Sequence, residues 1–187
     1  MTRLVALIGA FLAATALAET FSLPCRFIAG APKGPEKESN CAARRKGRIV
    51  VSRAAAQEMS CSADGLAAAF IDHGWYYVKK DGRTLSVVTS DNGADYVSEG
   101  LVRSRVAGKI AYFDTDFRQV VPPTYDWGWP FEGGKALVCR GCVESAPDND
   151  GHTMREGGSW GYIDRKGHEI VSVTRSREEI RKWERPK

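Results

Sequence analysis

Beyond its first eighteen residues the chain has no long apolar run. Nothing after that point supplies the roughly 20 consecutive apolar residues that a spanning helix needs. Histidine is scarce, with three in 187 residues. His73 and His168 sit beside turn signals, and His152 lies in a polar stretch. No serine or cysteine stands in a motif that would present it to a histidine base, and the Gly-x-Ser-x-Gly elbow is absent. The chain therefore reads as non-enzymatic. Charge of one sign is also lacking, since 27 Lys and Arg face 23 Asp and Glu for a formal +4. With that balance and no basic-aromatic RNA-binding signature, nucleic acid is excluded as a partner. No cofactor is implied. "DNDG" (Asp148 to Gly151) lacks the third alternating acid and the distal glutamate of a calcium loop, so it reads as a solvated loop and no metal is assigned.

What is present begins with an export pattern. Arg3 precedes an apolar run from Leu4 to Ala14, and Ala16-Leu17-Ala18 has the small-x-small form of a peptidase site. The expectation is a signal peptide cleaved after Ala18, delivering a periplasmic or secreted protein. All five cysteines (Cys25, Cys41, Cys61, Cys139, Cys142) follow it and would meet an oxidising compartment. "CRGC" reads as a Cys139–Cys142 bridge at the neck of a polar insertion. Thiol-redox chemistry would want a helix N-terminus after the first cysteine, where an apolar strand and a loop are expected instead. Zinc would need two more ligands, for which His152 and another cysteine are the local supply. Cys25 and Cys41 bracket a Pro-, Gly- and charge-rich segment, and Cys41–Cys61 is the alternative pairing. The basic runs "RRKGR" (Arg44 to Arg48) and "RSREEIRKWERPK" read as solvated faces, with weak contact to an anionic membrane surface or wall polymer as the minor reading.

Self-similarity organises the rest. Tyr77-Val78, Tyr112-Phe113 and Tyr162-Ile163 are spaced by 35 and 50 residues. Asp64-Gly65-Leu66 and Glu99-Gly100-Leu101 are again 35 apart, and Glu132-Gly133 follows at 33, with Gly134 and Lys135 read as inserted before Ala136. "GWYYVKKDGRTLSVV" places two strand-like runs around Asp81-Gly82, and the later units do the same around Thr115-Asp116 and Lys166-Gly167. Each unit is about three short strands. The fold class is all-β in the main: tandem antiparallel hairpin or three-stranded repeats of about 35 residues, with short helices at Ser52–Met59 and Ser176–Trp183. The second opens with Ser-x-x-Glu, a capping box, and is placed to seal the last repeat.

The run "GGSWGYIDRKGHEIV", with "VVPPTYD" and "PFEGGKALV" upstream, resembles the WG-repeat family of bacterial proteins. The match is closest at Trp160-Gly161-Tyr162-Ile163-Asp164, while Trp75-Tyr76 and Ile110-Ala111 stand in the other Trp-Gly places. The resemblance implies a β-rich repeat architecture and an interaction role, and it brings no catalytic residues. The expected layout is signal peptide 1–18, a cysteine-containing segment 19–45, a repeat domain 46–173 with a polar insertion at 143–158, and a basic helix and tail 174–187. Its partner is read as another protein or a cell-envelope component. Two rivals stand beside this reading. One is a cell-wall or polysaccharide glycan-binding module stacking sugars on Trp127 and Trp129, expected on a turn between the linker Pro122–Asp126 and the next strand. The other is a periplasmic thiol-redox factor using Cys139 and Cys142.

Overall fold

The computed structural model describes residues 20–90 and 92–184. The signal-peptide expectation and the last three residues of the basic tail lie outside them. The described chain is mostly antiparallel β-structure. Strands β1 (Leu23–Ala29), β2 (Gly34–Arg45) and β3 (Arg48–Val51) are followed by helix α1 (Arg53–Glu58), then β4 (Ala67–Ile71), β5 (Gly74–Val78) and β6 (Thr84–Ser86). These six strands form one sheet in the order β3-β2-β1-β4-β5-β6. Its two end strands meet at a Val50–Arg83 bridge, and Val51 N–H donates to the Gly82 carbonyl at 2.9 Å. The sheet thus curls until its edges touch around an apolar centre that includes Phe27, Met59, Ile71 and Val78.

A short ribbon follows, β7 (Thr89–Ser90) with β8 (Gly93–Ala94). Then come β9 (Leu101–Val106), β10 (Lys109–Asp114) and β11 (Gln119–Tyr125), a three-stranded meander. The last sheet, ordered β12-β13-β16-β17, is built from β12 (Trp127–Gly128), β13 (Lys135–Arg140), β16 (Ser159–Asp164) and β17 (Glu169–Arg175). Between β13 and β16 the polar insertion forms its own hairpin arm from β14 (Val143–Glu144) and β15 (Arg155–Glu156). Helix α2 (Arg177–Glu184) closes the described chain.

The period expected from sequence reappears in the hydrogen bonding. Lys79 N–H to Arg83 O, Asp114 N–H to Arg118 O and Asp164 N–H to His168 O close the same turn in successive units, at 2.8–2.9 Å. Before each returning strand one residue takes positive φ: Gly82 (88°), Phe117 (66°) and Gly167 (87°). Between β2 and β3 both Lys46 (46°) and Gly47 (78°) take positive φ in a two-residue turn, the geometry of Ala107 (49°) and Gly108 (82°) between β9 and β10, so the cysteine-containing segment is a meander as well. Residue 46, the expected start of the repeat domain, lies in that turn.

Two local expectations are corrected. Leu101 pairs with Asp114 and Lys135 with Asp164, so the counterpart of the Glu99-Gly100 turn is Gly133-Gly134. The third unit is therefore one residue short of the period, and nothing is inserted before Ala136. Pro122–Asp126 is likewise not a linker, since β11 runs through Pro122 and Pro123 as far as Tyr125. Proline is tolerated there because β11 ends its sheet and is bulged opposite Tyr112.

Apolar layers alternate with the sheets. Leu66, Tyr77, Val87 and Val102 fill the space between the first sheet and the β9–β11 meander. Tyr112, Val121, Tyr125, Phe131, Val138 and Ile163 fill the next. Both short helices fall within a residue of expectation. Ser52 caps α1 by accepting the Ala55 N–H at 3.1 Å. The capping box of α2 is complete: Glu179 accepts from the Ser176 backbone at 2.7 Å, and Ser176 Oγ accepts from Glu179 N–H at 3.2 Å. Helix α2 lays Ile180 and Trp183 over the outer face of the last sheet, with Trp183 5.0 Å from the Tyr162 ring.

Candidate functional site: a tryptophan–arginine groove

The outer face of the last sheet is where the rings gather. Trp127, Cys139 and Trp160 face one another across β12, β13 and β16. Directly opposed residues project to one side of a sheet, and the small cysteine between the two indoles leaves room above it. Trp129, two positions along from Trp127, fills that room. Its ring lies 6.0 Å from Trp127, edge to face, and 5.6 Å from Trp160. Trp160 is buried and donates its Nε1–H to the Gly157 carbonyl at 2.7 Å. Trp127 and Trp129 are half-buried and lie on or beside a strand rather than on a turn.

Gly128 has to be a glycine. A methyl group there would overlap the Tyr112 hydroxyl, which donates to the Trp129 carbonyl at 2.7 Å. The Gly128 carbonyl is held from below by Arg103 Nη1 at 2.8 Å. Arg103 is itself clamped by Asp95, with Nε and Nη2 each 2.7 Å from a carboxylate oxygen. Tyr77 hydroxyl donates to the Asp95 carbonyl. This buried network joins three successive units beneath β12.

Guanidinium groups cover the rings. Arg155, on the arm, lies 4.2 Å from the Trp127 centroid, with Arg105 at 5.1 Å and Arg103 at 5.3 Å. Arg177 of α2 lies 5.4 Å from Trp160. Cation–ring contacts of this kind are worth about 0.5–1 kcal/mol when exposed and more when desolvated. The arm is braced by Glu144, which accepts from Arg155 and Thr153 at 2.7 Å each. Those contacts, led by the Thr153 hydroxyl, hold the Glu144 carboxyl below the usual range.

Between the arm and the Ser86–Thr89 run is an open groove of about 1030 Å³, floored by the three tryptophans and carrying Arg105, Arg155, Arg177 and Arg181. Arg105 is exposed as a residue, but partial desolvation of its guanidinium, then the positive neighbour Arg155, pushes that group below the ordinary arginine range. The lining acids are Glu144 and Glu156. The groove is thus aromatic beneath and net positive at its walls.

The cysteines fall in two places. Cys139 and Cys142 are at disulfide distance at the root of the arm, both buried, with Cα atoms 6.0 Å apart. Cys139 lies in β13, and a loop and a short strand follow it. Cys25 and Cys41, also at disulfide distance with Cα atoms 5.7 Å apart, join β1 to β2 inside the first sheet, far along the chain from the groove. Cys61 is half-buried against the same core and unbridged. Asp148, Asp150 and His152 come together at the tip of the arm. There the Asp148 carboxylate accepts backbone N–H groups from Asp150 and His152 at 3.0 and 2.8 Å. Asp114 and Asp164 do the same in the repeat turns, so the cluster repeats a turn geometry used elsewhere in the fold.

Sequence reasoning singled out Trp127 and Trp129 and missed the rest of the groove. Trp160 enters the sequence reading as a family landmark, Arg177 and Arg181 fall in the terminal basic run read as a solvated face, and Arg105 and Arg155 carry no reading there. One signal was available: Arg103 and Arg105 alternate on a strand and so share a face.

Comparison with known proteins supports the repeat reading. The WG containing repeat model matches residues 111–141 and 160–173, which run from within β10 through β13 and over most of β16–β17. No curated protein and no solved structure matches the chain.

Proposed function

We propose that this chain, whose third and fourth meanders carry WG repeats, is an exported, non-catalytic interaction protein that uses the tryptophan–arginine groove as its binding surface. The observation that carries this reading is the convergence of three indoles and four guanidinium groups on one open groove. Aromatic and arginine side chains are the residue types most enriched at binding hot spots. The repeats supply rigidity, and the acids at their turns are occupied in holding backbone N–H groups. Export is supported by the leader pattern at Arg3 to Ala18 and by two cysteine pairs at disulfide distance. Among the described residues no helix is long and apolar enough to cross a membrane.

A sugar-stacking platform fits less well. Pyranose stacking needs an open indole face, and Arg155, Arg105 and Arg103 crowd Trp127. Thiol-redox chemistry is disfavoured by the burial of Cys139 and by its place in a strand. The test is affinity purification from the native cell envelope with the wild-type chain and with Trp129→Ala. A partner retained by the first and lost from the second supports the groove. Equal retention by both would move the interaction to another surface.

A further inference from the structure

Resting on the groove as the interaction surface, we infer that its occupant is an acidic, extended segment of a partner protein, held by the arginines and paired along strand edges. Charge is the first argument. Arg155 and Arg177 already have carboxylate partners within the chain, Glu144 at 2.7 Å and Glu184 at 3.2 Å. Arg105 donates only to the Gly108 carbonyl, at 2.8 Å, and Arg181 has no ion pair among the described residues. Both line the groove. Two guanidinium groups without an ion pair, one on β9 and one on α2, thus stand against one such lining acid, Glu156, and the groove is net positive.

The ring faces supply the second argument. A guanidinium stacked on an indole keeps its in-plane N–H donors free, and those donors match a carboxylate in fork geometry. Of the guanidinium groups over Trp127, Arg103 and Arg155 already spend donors on Asp95, the Gly128 carbonyl and Glu144, so Arg105 is the one that presents donors to Glu and Asp side chains of an occupant.

The rim supplies the third. Trp127 belongs to β12, the end strand of its sheet, and Ser86 to β6, an end strand of the first sheet that meets β3 at its Arg83–Thr84 end. Thr89 lies in the two-stranded β7–β8 ribbon, and Glu144, Arg155 and Glu156 lie in the two-stranded arm. Every strand that borders the groove, apart from β16, ends its sheet, β9 included. An extended chain can add to such edges through its main chain while alternate side chains reach the walls. A polysaccharide has no matching row of amide donors and carbonyl acceptors.

The experiment measures binding to the full purified chain by anisotropy of a labelled peptide of alternating Glu and Thr. The same peptide with Gln for Glu and an oligogalacturonate of equal charge serve as comparators. The Glu peptide should bind, weaken as salt is raised, and lose at least about tenfold on Arg105→Glu, as expected for a charged hydrogen bond. Arg181→Glu on a different element should weaken it in the same direction. Binding should also slow hydrogen exchange at rim strand amides such as Thr89 and Arg155. Thermal melting of each variant reports whether it is folded, and Arg105 and Arg181 are both exposed. Equal affinity for the Gln peptide, tighter binding of the oligogalacturonate, or no binding of the Glu peptide to the folded wild-type chain would each overturn the inference. Oligogalacturonate binding lost on Trp129→Ala would leave the groove as the interaction surface and remove only the peptide.

Discussion

Asp95→Ala should be among the most damaging single substitutions in this protein. The Asp95 and Arg103 side chains are 1% and 7% exposed, so the pair is nearly removed from water. Arg103 spends three donors inside: two on Asp95 at 2.7 Å and one on the Gly128 carbonyl at 2.8 Å. Taking away the carboxylate leaves a buried guanidinium with one neutral acceptor. Stranding one member of a buried ion pair costs about 3–5 kcal/mol, against a total of about 5–15 kcal/mol for a domain. Removing the charge as well should restore part of that loss. Asp95→Ala combined with Arg103→Met strands only the Gly128 carbonyl, a loss of about 1–3 kcal/mol. Urea denaturation of the wild type, both single variants and the double variant closes the cycle. Asp95→Ala should lose several kcal/mol and the double variant should be the more stable of the two. Trp127 emission should move in Asp95→Ala, because Arg103 lies 5.3 Å from that ring. A loss below about 1 kcal/mol, or strictly additive single effects, would refute the argument that this pair is a buried, coupled unit.

Gly128→Ala should cost about 1–3 kcal/mol as overpacking, since its methyl group would meet the Tyr112 hydroxyl. Tyr112→Phe in the same background should recover part of that, read by the same denaturation curves. The two cysteine pairs should differ in weight. The loop closed by Cys25 and Cys41 has a sequence separation of 16 and that of Cys139 and Cys142 only 3, so chain entropy assigns about 3 and about 2 kcal/mol respectively. Cys142→Ser should also speed hydrogen exchange in β14–β15 while the first sheet stays protected. Asp126 should titrate below the ordinary carboxylate value of about 3.9, because Lys109 at 2.6 Å and the Gly141 N–H at 2.7 Å hold its charged form. A depressed folded pKa stabilises above the unfolded value and is lost as pH falls through the folded one. Asp126→Asn should therefore flatten the acid limb of the stability curve and leave the shape above pH about 5 unchanged.

How much of this was readable beforehand depended on which residues act locally. The hairpin turns were legible because glycine at positive φ leaves a direct mark, as at Gly82 and Gly167. The second turn was legible only through its spacing, since Phe117 occupies the glycine position at φ 66°. Gly47 in "RRKGR" carries the same mark as Gly82 in "KKDGR", 35 residues earlier. It passed as basic charge because no tyrosine stands where Ala42 does. The helices were legible from Ser52, Ser176 and Glu179, whose caps need only neighbours in sequence. The site was hidden because its parts meet only after folding. Arg105, Arg155 and Arg177 come from three separate elements, and an arginine bound for a tryptophan face looks like any surface arginine in one dimension.

The place of the groove follows from the broken period. Between the first two full units the spacing is 35 residues and the sheets stack closely, with Tyr77, Val87 and Val102 filling the gap. Between the last two it is 50, and the extra chain emerges as the β14–β15 arm. An arm that leaves β13 after Arg140 and returns at Ser159 must stand beside the outer face of its own sheet, held at its root by Cys139 and Cys142. It therefore cannot complete the stack, and it forms a second wall over Trp127 and Trp160 instead. Those two tryptophans open the only two Trp-Gly pairs in the chain. Only Trp160-Gly161 occupies the family's repeat position, yet both indoles meet Trp129 on one floor. Regular repeats bury their aromatics between layers, and here the interruption of the repeat keeps two of three tryptophans half-exposed. Shortening the arm by deleting Glu144–Arg155 would leave the large sheets intact and remove the wall together with Arg155 and its partner Glu144. Binding at the groove should then fail while the melting temperature holds, a result that separates the scaffold from the site.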